Sequence, residues 1–373
     1  MVKNKKIKVL FLVGNLRPSN GVTSFAMTYF RGIDHSKFQI DFALLDDKRT
    51  PYYEEIKKNG GKIYFLPPLR KLRTHLKKCK QILKNENYQI IHDNLLLSSI
   101  PMMYCAYKCK IPVRILQSHN TKLSSIKWKE KRNRLFLPFL RKMSNSYFAC
   151  GNDAGKAMFG HARFNVIPNA IPYSERYFDD YKRDLIRKQS NCQDKLVIGT
   201  VGRLSLQKNP FFAIKVIQSL INRYPNIEYW WIGSGELDEE VKNYIESNHL
   251  GNYIKLYGSR NDVSSLYQAM DVFFLPSIFE GLPITAIEAQ ATGLPCVISD
   301  SVTKELVYTD LVQFVSLNSP LNEWENKIIE QLKKFPDRNS YLEKLKGSTF
   351  YSPNAANILS KQYLKLVHKN RDV

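Results

Sequence analysis

Apolar residues in this chain fall into short runs separated by longer stretches of helical spacing. The runs Val9–Val13 and Val272–Leu275 are apolar at every position, and Leu196–Val201 comes close to that pattern. Strands that are apolar on both faces are typical of parallel sheets covered by helices. The intervening stretches repeat apolar residues every three or four positions, as a helix with one buried face does. The pattern predicts strands and helices in alternation.

The periodicity predicts the following elements. Strands are expected at Val9–Val13, Ile40–Leu45, Lys62–Leu66, Gln89–His92, Val113–Gln117, Tyr147–Cys150, Leu196–Val201, Glu228–Ile232, Ile254–Tyr257, Val272–Leu275 and Cys296–Ser299. Helices are expected at 22–32, 71–85, 95–109, 128–143, 210–224, 236–248, 262–269, 283–292 and 321–335.

A break in the pattern falls at Val166–Pro172, where two prolines favour an extended connector. We therefore expect an α/β protein with two Rossmann-like, doubly wound domains, residues 1–170 and 171–352. Sheets of this kind bind ligands at the carboxyl ends of their strands, so two of them facing each other would form a cleft. The length of 373 residues is sufficient for two such domains.

Composition narrows the class of protein. No run of eighteen apolar residues occurs, so we expect no membrane-spanning helix. The basic start is followed by an apolar run that is too short for a signal peptide and lacks a small-residue cleavage site. The six cysteines form no C-x-x-C pair, which favours reduced thiols and a cytoplasmic location.

The excess of positive charge lies in the first half of the chain. The net charge is +22, and residues 1–170 hold 32 Lys and Arg against 10 Asp and Glu. Two basic segments, Leu69–Leu83 and Lys122–Met143, interleave cations with apolar residues and could lie as helices on an anionic membrane. Solvated helix faces are the alternative. Nucleic acid is a rival partner, but no recognition signature for it is present, so none is expected.

The segment Ser277–Pro295 carries the most specific signal. Glu280 precedes a predicted helix and Glu288 lies within it, with Pro283 placed as the first helical residue and Gly293 after the end. The free N–H groups at the helix start favour a phosphate. A carboxylate beside that phosphate requires donors, and sugar hydroxyls are donors. The arrangement indicates a site for a nucleotide sugar.

A second loop supports this interpretation. Arg203 and Lys208 flank the loop that follows the strand Leu196–Val201, and a helix begins at Pro210. Two cations at a strand end could neutralise a diphosphate, with Arg203 binding oxygens in bidentate fashion. Considered alone, they are better explained as two solvated surface cations. Together with the Glu280 segment, they favour the diphosphate.

Other candidates have weaker signals. The turn Gly233-Ser234-Gly235 could be only a tight turn, and Asp262 in Gly258–Val263 is expected to cap a helix. In the first domain, Gly21 would allow backbone to approach a ligand. His119 ends a strand, where it is either structural or a polar contact and proton carrier.

A metal site is not expected. No D-x-D motif occurs in the chain, and the histidines do not cluster with the cysteines. A transferase that depends on a carboxylate-bound divalent ion is therefore disfavoured. The cations and the helix start would have to supply the electrostatic stabilisation. No resident cofactor is expected either.

These motifs resemble the retaining, two-Rossmann-domain glycosyltransferases of family 4, the glycosyl transferases group 1 type found in capsule and exopolysaccharide synthesis. The resemblance spans nearly the full length. It is most specific in Gly202–Asn209 and in Ser277–Pro295, where the family's E-x7-E pattern falls on Glu280 and Glu288. It implies the GT-B fold and metal independence. It also implies a C-terminal helix, roughly 353–373, that returns to the first domain.

The resemblance also implies site roles. Arg203 and Lys208 would bind the donor diphosphate, together with the backbone of Gly281, Leu282 and Ile284. Glu280 would contact the transferred sugar, Glu288 the ribose hydroxyls, and the Arg260 turn the base. Gly21 would approach the donor, and His119 would lie beside the sugar and the acceptor. Asn20 replaces the first glycine of the family's Gly-Gly pair, which leaves its contribution to donor binding open.

The expected function is transfer of a sugar, with retention, from a nucleoside diphosphate sugar to a hydroxyl of a lipid-linked or oligosaccharide acceptor. A UDP-sugar is the favoured donor. The enzyme would work in the cytoplasm, peripheral on the inner face of the cell membrane. Two alternatives remain open at this point: a catalytically inactive partner subunit of the same fold, and a nucleotide-sugar epimerase. Alanine at Glu280 or Lys208 would abolish transfer and leave the fold intact.

Overall fold

Two α/β units make up this computed structural model, which describes residues 6–18, 20–124, 126–172, 178–334 and 336–370. The first unit contains residues 1–170 and 352–373, and the second contains residues 171–351. The paired strands of both units are parallel, which fits the apolar runs seen in the sequence.

The first unit is built on a parallel sheet with the strand order β3-β2-β1-β4-β5-β6-β7. Its strands are β1 Ile7–Val13, β2 Phe38–Leu44, β3 Ile63–Phe65, β4 Ile90–Asp93, β5 Val113–Ser118, β6 Ser146–Ala149 and β7 Asn165–Val166. Its helices are α1 Gly21–Gly32, α2 Tyr52–Lys58, α3 Leu72–Glu86, α4 Ile100–Lys108, α5 Lys127–Met143, α6 Asn152–Phe159 and, after the second unit, α14 Ser352–Lys369.

The C-terminal helix α14 completes the core of the first unit. Its Leu359, Tyr363 and Val367 are buried among side chains of β1, β2 and α1. It comes so close to α1 that a Cβ on Gly32 would lie 2.8 Å from the Cβ of Ala356. The predicted helix 353–373 is therefore present as far as Lys369, and residues 371–373 lie outside the described part.

The second unit repeats this architecture with the strand order β10-β9-β8-β11-β12-β13. Its strands are β8 Leu196–Val201, β9 Ile227–Ile232, β10 Ile254–Gly258, β11 Val272–Leu275, β12 Cys296–Ser299 and β13 Val312–Val315. Its helices are α7 Asp180–Gln189, α8 Pro210–Ile221, α9 Asp238–Ser247, α10 Val263–Ala269, α11 Ile284–Ala291, α12 Leu321–Leu332 and α13 Tyr341–Lys346.

Every predicted strand and helix is present. Leu196–Val201, Val272–Leu275 and Cys296–Ser299 have the predicted bounds, and the other elements have shifted ends. The predicted helix 95–109 begins as a 3-10 turn, Leu96–Ser99, before α4. The sequence patterns missed α2, α6, α7, α13, β7 and β13. These elements are short or partly exposed: β13, for example, is half-buried at three of its four positions. An edge element that buries little has a weak hydrophobic period, so it leaves little signal in the sequence.

Candidate active site

Two loops of the second unit meet at the carboxyl ends of the neighbouring strands β8 and β11. Lys208 lies in the loop after β8 and Glu280 in the loop after β11, and Lys208 Nζ is 2.7 Å from Glu280 Oε1. Both side chains are largely buried, with exposed fractions of 13% and 9%. Charges removed from water need such a partner, because an uncompensated buried charge is costly. The fold thus brings together two of the predicted site residues.

Two neutral side chains also donate to Glu280. Ser277 Oγ donates to Oε1 at 2.9 Å, and Gln207 Nε2 donates to Oε2 at 3.0 Å. Gln207 also joins the two loops through their backbones, since Ile278 N donates to its carbonyl at 2.9 Å. The carboxylate is therefore fixed in place before any ligand is bound.

Arg203 adds a positive charge to the same edge. Its side chain is exposed, and no carboxylate among the described residues neutralises it. Since Lys208 and Glu280 compensate each other, Arg203 supplies net positive charge at the carboxyl end of β8. A diphosphate is an anion of the kind that such an edge attracts.

The Gly233-Ser234-Gly235 turn has a packing role at this edge. Gly233 has a φ of +135°, and a Cβ on it would lie 2.2 Å from the carbonyl oxygen of Gly202. A Cβ on Gly235 would lie 2.0 Å from the carbonyl oxygen of Leu204. Both glycines are required because the loop after β9 crosses the loop after β8 at backbone contact.

Helix α11 begins one residue later than predicted. Pro283 is its N-cap, with an extended ψ of 111°, and Ile284 is the first helical residue. The prediction of Pro283 as the first helical residue was wrong, because a residue with that ψ is not helical. Gly293 follows the helix end, as predicted, and its φ of +65° lies in the left-handed region.

The residues around the start of α11 are mostly enclosed. Gly281 and Leu282 are buried in the connection from Glu280, and Ile284 is half-buried. Glu288 lies within α11 with 7% of its surface exposed, and Tyr267 Oη donates to its Oε2 at 3.1 Å. The predicted phosphate-binding backbone and both carboxylates therefore belong to one loop and helix.

Arg260 is engaged within its own turn. Its Nε and Nη2 donate to the two carboxylate oxygens of Asp262 at 2.8 and 2.6 Å. These hydrogen bonds lower the pKa of Asp262. Asp262 occupies the N-cap position of α10, but its side chain accepts no helix N–H. The prediction that Asp262 caps the helix was wrong in this respect, because the guanidinium takes its oxygens instead.

The loop between β1 and α1 gives Asn20 a defined structural role. Asn20 is the N-cap of α1, and its Oδ1 accepts from Val22 N at 2.9 Å and from Thr23 N at 3.4 Å. Gly21 follows as the first helical residue, and a Cβ on it would meet nothing within 4 Å. The departure from Gly-Gly therefore stabilises the helix start. The fold itself does not require a glycine at position 21.

His119 lies directly after β5, in the first unit, and is half-buried. Its Nε2 is 2.8 Å from Asn94 Oδ1, and its ring packs edge-on against Phe25 with centroids 4.8 Å apart. Burial lowers the pKa of His119 to about 4. The imidazole is therefore neutral at pH 7. A proton-carrier role would have to start from the neutral ring.

Sequence reasoning missed the side chains that hold the predicted site residues. These are Gln207 and Ser277 on Glu280, Tyr267 on Glu288, and Asn94 on His119. Gln207 and Ser277 lie beside predicted residues in the sequence, so their polarity was an available signal. Tyr267 and Asn94 reach their partners only through the order of strands in the sheet, which one sequence does not show.

The two basic segments of the first unit differ in how they use their apolar residues. Helix α3 buries His75, Cys79, Ile82 and Leu83 in its own unit, so its outer face is mainly cationic apart from Leu72, which is 50% exposed. Helix α5 buries Leu137, Leu140 and Met143 but leaves four large apolar side chains exposed. These are Trp128 at 61%, Leu135 at 68%, Phe136 at 43% and Phe139 at 61%.

The described residues contain no candidate for a membrane-spanning helix or for a metal site. No helix there is both long enough and apolar enough to span a bilayer. No group of three or more His, Cys, Asp or Glu side chains within the described ranges is arranged to hold a metal ion.

Comparison with known proteins gives related sequences over most of the chain. The profile of the family "Glycosyl transferases group 1" matches residues 182–343. EpsF of Bacillus subtilis, which is named as a glycosyltransferase, is 29% identical over 83% of each chain. The UDP-Gal:alpha-D-GlcNAc-diphosphoundecaprenol alpha-1,3-galactosyltransferase of Escherichia coli is 27% identical over 75% of this chain and 76% of its own length. The capsular polysaccharide biosynthesis glycosyltransferase CapH of Staphylococcus aureus is 24% identical over 72% and 74%.

Solved structures superimpose on nearly the whole chain. Anabaena Alr3699/HepE, crystallised with UDP and glucose, superimposes with a TM-score of 0.81 over 96% of this chain and 99% of its own, at 17% identity. WaaG, a glycosyltransferase involved in lipopolysaccharide biosynthesis, has a TM-score of 0.70 over 94% and 99%, at 15% identity. The chain therefore has the GT-B fold, carries a glycosyl transferases group 1 domain over residues 182–343, and is a glycosyltransferase with relatives in exopolysaccharide and capsule biosynthesis.

Proposed function

We propose that this chain transfers a sugar from a nucleoside diphosphate sugar, with UDP as the favoured nucleotide, to a hydroxyl of a lipid-linked glycan acceptor. The main support is the Lys208–Glu280 pair, prearranged at a strand edge that also bears Arg203. Lys208 has three N–H donors, of which Glu280 takes one, so the others can bind phosphate oxygens. Arg203 and the N–H groups at the start of α11 add positive potential for the same diphosphate.

In this proposal the sugar lies against Glu280. Its carboxylate is held in position by Ser277, Gln207 and Lys208, and it is the acceptor that we assign to a hydroxyl of the transferred sugar. Glu288 would accept from the ribose, and the Arg260 turn would adjoin the base. In the first unit, Gly21 would approach the donor and His119 would lie beside the sugar and the acceptor. The arrangement of the two units across a cleft stays a prediction.

The reaction would proceed with retention and without a metal ion. The departing diphosphate, stabilised by Arg203 and Lys208, would accept the proton of the attacking hydroxyl on the same face of the sugar. These cations would stabilise the charge that develops on the leaving group, which is the largest electrostatic demand of the reaction. The relative from Escherichia coli, whose name gives a UDP-galactose donor and a diphosphoundecaprenol-linked acceptor, supports the choice of substrates.

The donor site can be tested with the purified full chain. A panel of UDP- and GDP-sugars is screened for thermal stabilisation, because a ligand that binds the folded state raises its apparent stability. Release of UDP and transfer to a lipid-diphosphate acceptor are then measured for wild type, Glu280→Gln and Lys208→Met.

We expect both variants to lose at least about 100-fold in kcat, comparable to the loss of one charge-stabilising group. Lys327→Met is the matched control, because Lys327 forms an exposed ion pair with Glu330 at 2.8 Å on α12. Wild-type turnover in both site variants would refute the proposed site.

We also propose that the first unit docks on anionic lipid, with different contributions from α3 and α5. The exposed Lys77 and Lys80 of α3 would act by charge, at about 1 kcal/mol for each cation near the surface. The exposed aromatic face of α5 would enter the lipid interface. Within that face Arg132 lies 5.4 Å from the ring centroid of Trp128. Aromatic rings beside cations suit the headgroup region.

Sedimentation with vesicles separates the two contributions. Lys77→Glu with Lys80→Glu should weaken binding to anionic vesicles most strongly at low salt, since charge attraction is screened. Leu135→Ser with Phe139→Ser should weaken binding at all salt concentrations, because apolar burial is not screened. Lys327→Glu in the second unit is the control. Equal binding of every variant would refute lipid docking, and binding of DNA in place of vesicles would favour nucleic acid.

A further inference from the structure

The contact between His119 and Asn94 joins the ends of two adjacent strands. His119 follows β5 and Asn94 follows β4, and these strands pair in parallel. Asn94 is 6% exposed, and its backbone N–H donates to the carbonyl of Leu12 on β1 at 3.1 Å. The amide side chain of Asn94 therefore starts from a fixed backbone position when it meets the imidazole.

The orientation of the Asn94 amide follows from its second contact. Asn94 Nδ2 lies 3.2 Å from the carbonyl oxygen of His92. A carbonyl oxygen only accepts hydrogen bonds, so the amide nitrogen must face His92 and the amide oxygen must face His119. An amide oxygen is likewise only an acceptor. The Nε2 of His119, 2.8 Å away, must therefore carry a hydrogen.

This assignment leaves the other ring nitrogen as an acceptor. A neutral imidazole has one N–H and one lone pair, and burial lowers the pKa of His119 to about 4. At pH 7 the lone pair must be on Nδ1. Within the described ranges His119 Nδ1 makes no hydrogen bond, and this nitrogen is not a buried atom. It is available to a ligand.

We propose that Asn94 is a positioning residue that fixes His119 as its Nε2–H tautomer and so presents Nδ1 as a hydrogen-bond acceptor for a substrate hydroxyl. This inference rests on the proposed function, in which His119 adjoins the transferred sugar and the acceptor. A sugar hydroxyl can donate to Nδ1, whereas a phosphate oxygen cannot. With this tautomer, the group that binds next to His119 Nδ1 must be a hydroxyl of the sugar or of the acceptor. The diphosphate is excluded from that position.

Buried side chains next to the His119–Asn94 contact hold His92 in place, and we call this group the adjoining layer. Tyr363 Oη of α14 is 2.6 Å from His92 Nδ1, and Gln117 Oε1 is 3.3 Å from His92 Nε2. Because the His92 carbonyl orients Asn94, these contacts link the C-terminal helix to the ring of His119. Asp93 adjoins the same layer, and its carboxyl accepts from Leu95 N at 2.8 Å.

The tautomer can be observed directly. Long-range proton–nitrogen NMR spectra of the nitrogen-15-labelled full chain distinguish a protonated ring nitrogen from one with a lone pair, and His119→Gln assigns the signals. At pH 7 we expect a protonated Nε2 and an unprotonated Nδ1 in His119. A protonated Nδ1, or comparable populations of both tautomers, would overturn the proposal without touching the proposed function.

A charge placed at position 94 tests the functional part. Asn94→Asp retains an acceptor for Nε2–H but adds a negative charge, which should raise the pKa of His119 by about 1–3 pH units. Protonation removes the lone pair of Nδ1, so the acid limb of kcat should move to higher pH by a similar amount. Asn120→Asp is the matched control, because Asn120 adjoins His119 in sequence and its Oδ1 accepts from Thr121 N, which an aspartate can also do.

An equal shift in both variants, or no shift in Asn94→Asp, would overturn the positioning role of Asn94. His92, Asp93 and Tyr363 are the titratable groups of the adjoining layer and are the same in both variants. If Asn94→Asp fails to fold, the NMR spectrum of the wild type still decides the tautomer. If the wild type transfers no sugar, the proposed function fails, while the same spectrum decides whether Asn94 fixes the ring.

Discussion

The buried Lys208–Glu280 pair makes a specific prediction about stability. From the sequence alone, alanine at either position was expected to leave the fold intact. The structure changes that expectation, because the two side chains are 13% and 9% exposed and 2.7 Å apart. Removing one partner leaves the other charge uncompensated, at a cost of about 3–5 kcal/mol. Ser277 and Gln207 still donate to Glu280 in Lys208→Met. We therefore expect this variant to lose about 3 kcal/mol in its free energy of unfolding, the lower end of that range.

The double variant separates charge compensation from side-chain packing. Lys208→Met combined with Glu280→Gln removes both charges and keeps the approximate shapes. Its loss in free energy of unfolding should be smaller than the sum of the losses of the two single variants. The difference, the coupling energy, should be at least about 1 kcal/mol. The same double variant should still lack transfer activity, since both donor contacts are gone. Stability and activity would thus be separated within one series of variants.

Denaturation in urea, followed by tryptophan fluorescence, measures this series. Trp230, Trp231 and Trp324 are buried in the second unit, and Trp231 Nε1 donates to the Gly202 carbonyl at 2.9 Å, close to Lys208. The fluorescence of Trp231 therefore reports on the sheet edge at which Lys208 and Glu280 are replaced. Single variants within about 1 kcal/mol of wild type, together with additive behaviour of the double variant, would refute charge compensation by the pair.

Three further predictions concern the first unit. Gly21→Ala should leave the free energy of unfolding unchanged or slightly higher, because a Cβ at this position meets no other atom. The same change should weaken donor binding, measured by calorimetry, and unchanged affinity would contradict the role of Gly21. Tyr363→Phe should cost about 1–3 kcal/mol in urea unfolding, since His92 Nδ1 loses its buried donor, and a smaller loss would contradict that contact. The lowered pKa of His119, about 4 against about 6.5 in the unfolded chain, means that the unfolded state takes up the proton first as the pH falls. Wild type should therefore lose stability relative to His119→Gln between pH 6.5 and pH 4, and a constant difference between their unfolding midpoints would contradict this.

The sequence was sufficient for the repeating strands and helices and for the loop that carries Glu280. Buried parallel strands such as Val9–Val13 and Val272–Leu275 are recognisable because every side chain in them must be apolar. The helix α11 was recognisable from the spacing of Glu288 and the terminating Gly293. These signals are local, so they can be read without knowing which elements are neighbours.

Only the tertiary structure decided which side chains hold the predicted residues. The order β10-β9-β8-β11 brings the Lys208 loop against Glu280, and the order β1-β4-β5 brings Asn94 against His119. Hydrophobic periodicity does not encode strand order, so these pairs could not be predicted from spacing. The same holds for exposure: α3 and α5 have similar compositions, yet α3 packs its apolar stripe inside its own unit while α5 leaves Trp128 and Phe139 in contact with solvent. A side chain's polarity is a property of the residue, but its burial and its charge partner depend on neighbours that only the folded chain supplies.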